Sequence, residues 1–90
     1  MIGLTFKLNP NMPEGYQTSL GYDEIQIIDR SLYRTREIDD INEDDKKSKA
    51  IIYDYELTII GWSKTGERDI FRINENELWD EIDYQIYVLA

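Results

Sequence analysis

Glu37, Asp39, Asp40, Glu43, Asp44 and Asp45 put six carboxylates into nine residues, and Glu75, Glu77, Asp80, Glu81 and Asp83 put five more into another nine. Three kinds of chemistry use carboxylates at that density: general acid and base catalysis, binding of a hard cation, and presentation of negative charge to a basic partner. Asp80 with Asp83, or Asp54 with Glu56, are the right residue types for acid–base work. A chain of 90 residues, however, offers little cleft in which to desolvate one member and hold a substrate against it. The run Asp40-Ile41-Asn42-Glu43-Asp44-Asp45 imitates the start of an EF-hand loop. It fails at the sixth position, where the sharp turn needs glycine and Asp45 stands, and at the twelfth, where a bidentate glutamate is needed and Ile51 stands. We therefore expect no catalytic group, metal centre or cofactor, and a protein that is not an enzyme.

The remaining residue types narrow the field in the same direction. Without histidine or cysteine, the chain can build no Ser-His or Cys-His nucleophile, no imidazole or thiolate metal site and no disulfide. Gly61 and Gly66 do not belong to any phosphate-binding glycine pattern. A net charge of −9 repels phosphate backbones and anionic bilayers, which argues against direct nucleic-acid or membrane binding and favours a basic protein as partner. No stretch approaches the roughly 20 apolar residues of a membrane span. The start, MIGLTFKLNPN, has neither the charged leader nor the small-residue cleavage site of a signal peptide. The expected location is the cytoplasm, or the host cytoplasm for a viral protein.

The acidity is concentrated rather than spread. Residues 1–36 are balanced, 37–45 contribute −6, 46–49 return +3, 50–74 contribute −1 and 75–90 contribute −5. Trp79 and Tyr84 interleave the second block, and Tyr53, Tyr55, Trp62 and Tyr87 supply further amphipathic rings. Carboxylates beside aromatic anchors suit a surface that fills a basic groove, since charge steers encounter and buried rings supply affinity. The candidate partner-binding residues are the eleven acids together with Trp79. Against this, the first block also reads as a solvated connector, and Tyr53 and Tyr55 read as core.

The elements that position these residues start from Ala50 to Ile73. Ile51, Tyr53, Tyr55, Leu57 and Ile59 alternate with Asp54, Glu56 and Thr58, a turn at Ser63–Glu67 contains Gly66, and Phe71 and Ile73 resume the alternation: a hairpin. Ile2 to Leu8 alternates as a first strand, and a loop punctuated by Pro10, Pro13, Gly15 and Gly21 follows, anchored by Met12, Tyr16 and Leu20. Ile25, Ile28 and Leu32, with Tyr22 one turn earlier, sit at helical spacing. This predicts a helix over 23–36, although EIQII would also serve as a strand. Glu37–Asp45 is expected as an exposed loop or frayed helix end. Asn74 with Glu77 forms a capping pattern that starts a short helix, and Tyr84, Ile86 and Val88 then suggest a terminal strand, with continued helix as the alternative. The whole is a single α+β domain spanning 1–90: an antiparallel sheet of three to four strands built on a central hairpin, with one or two helices.

In general character, a small, cysteine-free, strongly acidic α+β chain resembles the phage and mobile-element inhibitors that imitate nucleic-acid charge, anti-CRISPR proteins among them. The resemblance implies a steric mechanism, in which the acidic blocks occupy an arginine- and lysine-lined channel of a nucleic-acid-binding enzyme. An immunity protein for a basic toxin would use the same electrostatics. A structural or assembly component of virion or tail type is the alternative class, and pairing of edge strands between copies would give a homodimer.

Overall fold

The computed structural model describes residues 2–41 and 47–90. Five strands and one helix follow in the order β1 (Thr5–Leu8), β2 (Glu24–Ile41), β3 (Lys47–Trp62), β4 (Arg68–Asn74), α1 (Glu75–Asp83) and β5 (Tyr87–Leu89). The strands form one open antiparallel sheet in the order β4-β3-β2-β1-β5. The α+β class therefore holds, with five strands in place of three to four. The expected hairpin forms as β3–β4, turning where Gly66 adopts φ +84° and the Ser63 amide donates to the Glu67 carbonyl at 2.8 Å. It is not the centre of the sheet, because β4 is an edge strand and the longest pairing is β2 with β3.

The segment expected as a helix over 23–36 is strand from Glu24 onward, and the reason is in the ladder. Ile25 and Ile27 face the core at period two. An extra residue then enters β2 at Ile28 and another at Tyr33, where the register shifts. Residues on one face of β2 consequently run 25, 27, 30, 32, 35, 37, and Ile28, which with Ile25 and Leu32 made the helical spacing, is the unpaired residue of the first bulge. Glu37–Ile41 continues the same strand, so the expected loop or helix end is a ladder through Ile41 opposite Lys47.

Sixteen residues of β3 pair with β2, yet the core occupies only one end. Phe6, Ile25, Ile27, Leu57, Ile59, Leu78, Ile86 and Tyr87 form it, with Met12 and Leu20 of the loop packed against it. Gly61 permits a close approach there. The Tyr22 ring lies over its backbone, stacked on Phe71 at 5.0 Å, with its hydroxyl donating to Asp69 at 2.8 Å. Beyond the Ser31–Glu56 pair, β2 and β3 leave this head as a two-stranded arm. The molecule measures 55 × 29 × 17 Å with a radius of gyration of 16.6 Å, against about 12 Å for a compact chain of this length. Tyr53, expected in the core, is 55% exposed on the arm, and Tyr55 lies half-buried under the Arg30 guanidinium at 3.5 Å. Among the described residues no helix is long and apolar enough to cross a membrane.

Candidate functional site

α1 carries the second acidic block, and local chemistry explains its start better than its end. Asn74 caps the helix by accepting from the Asn76 amide at 2.9 Å, and Glu75 and Glu77 in the first turn complement the positive end of the helix dipole. Asp80 and Asp83 sit towards the other end, where carboxylates are unfavourable, and no basic residue occupies the last turn. Leu78 packs into the core while Trp79 and Ile82 are half-buried. The five acids divide by environment. Glu75 binds Arg30 at 2.8 and 3.2 Å, Glu81 is buried, and Glu77, Asp80 and Asp83 face solvent with no counter-ion among the described residues.

Glu81 belongs to a small polar system that ties the loop to the helix. Its Oε1 accepts from the Ser19 amide and hydroxyl, both at 2.6 Å, and from the Thr18 hydroxyl at 3.3 Å. The single Thr18 hydroxyl proton is shared with the Tyr87 hydroxyl at 3.1 Å, and that hydroxyl donates to the Tyr22 carbonyl. Burial pushes the Tyr87 phenol above its ordinary range. Beside this system lies a hollow of about 380 Å³, with Gln17 and Ser19 on the loop side and Glu77, Asp80, Glu81 and Tyr84 on the helix side. Spacings of three and four put the three acids on one stripe of α1, with Tyr84 at its C-cap. Tyr84 is steadied by the Tyr16 ring at 5.8 Å. Trp79 does not line the hollow.

The first block lies on the arm. Glu37 is 3.7 Å from Lys49, Asp39 is exposed, and Asp40 pairs with Ser48 in the ladder. Glu43, Asp44 and Asp45 lie outside the described residues. Glu37 and Asp39 share the helix-bearing side of the sheet, since opposed residues lie on one face and Glu37 opposes Ile51. Six residues of β3 separate that pair from Leu57 at the arm's root, a span of roughly 20 Å, so the blocks are two patches on one side rather than a single one. On the opposite face of the arm Asp54 is 5% exposed. It accepts from Arg36 at 2.7 and 3.0 Å and from Arg34 at 2.8 Å. Those bonds, Arg36 first, hold the Asp54 carboxyl below its ordinary range.

No family model, curated protein or solved structure matches the chain. What the arrangement can do must be read from its own chemistry. Among the described residues no three acids converge as metal ligands, and the clustered carboxylates are either bonded internally or open to solvent. Sequence reasoning found the two acidic blocks. It missed the roles of Thr18 and Ser19, which hold Glu81, and of Arg34 and Arg36, which hold Asp54. Those partners are 18 to 63 residues apart in sequence and no local pattern joins them.

Proposed function

We propose that this is a non-enzymatic binding protein, an acidic inhibitor of the phage or mobile-element type that occupies a basic groove of a nucleic-acid-processing protein. The observation that carries the reading is the stripe Glu77, Asp80 and Asp83 on α1. These acids repel one another at spacings of three, and Asp83 works against the dipole at about 0.3–1 kcal/mol. The helix dipole favours Glu77 alone, and no lysine or arginine among the described residues pairs with the three, whereas an arginine- or lysine-lined surface would. Glu37 and Asp39 form a second, separate acidic patch on the same side, roughly 20 Å along the arm.

The test is capture from a lysate of the source cells with the wild-type chain and with a Glu77→Lys, Asp80→Lys, Asp83→Lys variant. The expected result is a basic nucleic-acid-binding protein held by the wild type, released by salt, and bound roughly a hundredfold more weakly by the variant. Its DNA or RNA should be displaced by the wild type. Equal capture by both baits would sink the proposal.

A second reading, an assembly component, is favoured by the arm. Leu32, Tyr33, Ile51 and Tyr53 are each more than half exposed there, and long ribbons with apolar side chains suit association between copies. Under that reading the sedimentation coefficient rises with concentration, and Tyr53→Asp abolishes the rise.

A further inference from the structure

Glu81 sits where a carboxylate is expensive to keep. The residue is 4% exposed, Oε1 takes the amide and hydroxyl of Ser19 and a share of the Thr18 hydroxyl, and Oε2 is buried with no hydrogen-bond partner among the described residues. A buried carboxylate oxygen without a donor has lost its water and gained nothing. The hollow that Glu81 lines repeats the imbalance. Glu77, Asp80 and Glu81 all contribute to its wall, and neither lysine nor arginine does. The wall carries three carboxylates and no cationic side chain, and its donors are the neutral ones of Gln17, Ser19 and Tyr84.

We propose that this hollow receives the guanidinium group of an arginine side chain from the partner, a proposal that rests on the reading of the protein as an acidic binding module. A divalent cation fits less well, because it needs several oxygens converging at about 2–2.5 Å and no three acids are so placed among the described residues. A guanidinium is planar, carries donors on three nitrogens, and can reach acceptors that are spread apart. Tyr84, held by Tyr16, offers a ring face for a cation–π contact, and Ile86 offers apolar surface for the methylene stem. An ammonium would bring charge but fewer directed donors.

The experiment is a titration of the isotopically labelled full chain with N-acetyl-arginine amide and, separately, with the uncharged isostere N-acetyl-citrulline amide, at constant ionic strength, followed by backbone amide shifts. The arginine compound should move Ser19, Glu81 and Tyr84 saturably in the millimolar range and the citrulline compound should not. Glu81→Gln should weaken binding roughly tenfold or more. Asp80→Asn, at an exposed position that leaves folding untouched, should weaken it roughly two- to fivefold. Equal shifts with citrulline, the same midpoint at Glu37 and Asp39 on the arm, or indifference to both substitutions would overturn the proposal and assign the spare oxygen to bound water. Failure here is separable from failure of the partner reading. Partner capture lost on charge reversal of α1, with Ser19 unmoved by arginine amide, removes only this site. Arginine amide bound as described, with capture unaffected by charge reversal, keeps the site and removes the partner assignment.

Discussion

The same two strands run through the head and the arm, paired by one ladder, but in the head they are flanked by β1 and β4 and covered by α1. Near the root β2 and β3 carry Ile25, Ile27, Leu57 and Ile59 at 0% exposure. Farther out, the same face carries Leu32 at 51% and Ile51 and Tyr53 at 55%. Arg30 marks the boundary, with its guanidinium laid on Tyr55 and bound to Glu75 of α1. Pairing and burial are thus separate contributions in this fold. The head has both, while the arm holds together through its ladder, its cross-strand side chains and the Asp54 ion pairs.

The largest test of that contrast compares two leucines on one side of the sheet. Leu78→Ala, at a fully buried position of α1, should cost about 2–5 kcal/mol in urea denaturation, whereas Leu32→Ala should change stability by no more than about 0.5 kcal/mol. A comparable loss at Leu32 would break the comparison, because it would mean that something, such as a second copy, covers the arm in solution.

A smaller effect, confined to the head, is expected at Gly61. A Cβ there would stand 2.5 Å from Cγ of Tyr22, so Gly61→Ala must displace that ring from Phe71 and Asp69, at about 1–3 kcal/mol. Adding Tyr22→Ala should recover part of the loss, since the clash needs both groups. Additive losses in the double variant would show that the ring does not oppose the new methyl.

Much of this was legible where the pattern is local. The alternation from Ile51 to Ile59 marked the right strand and side, Asn74 marked the start of α1, and Tyr84 to Val88 pointed to a strand now seen at Tyr87–Leu89. What alternation does not encode is how far cover extends. A nine-residue helix is roughly 13 Å long and β3 roughly 50 Å, so α1 hides only a fraction of the face, and Tyr53 falls beyond it. The bulges at Ile28 and Tyr33 concealed β2 by shifting its parity twice. At the candidate site, residue type disclosed which side chains are acidic, but not that Glu81 turns inward. That depends on a loop 62 residues away whose Ser19 amide happens to meet it.

The finest test uses pH, because the two regions should fail at opposite ends of the scale. In the arm, Arg36 and Arg34 lower the Asp54 carboxyl. A lowered carboxyl contributes stability that is complete above the unfolded value of about 3.9 and is lost as pH falls from there through the folded one. In the head, burial raises the Tyr87 phenol, so its contribution is complete below about pH 10 and is lost as pH climbs through the higher folded value. Backbone amide shifts of Thr35, Arg36 and Ile52 should therefore lose their native positions in acid while Ile27 and Ile59 keep theirs, and the order should reverse in strong base. Asp54→Asn should release the arm amides already at neutral pH and leave the denaturation midpoint of the head unchanged, since the carboxylate touches only arm residues. If arm and head amides move together at both extremes, the ladder transmits more than the packing divides, and arm and head are a single cooperative unit.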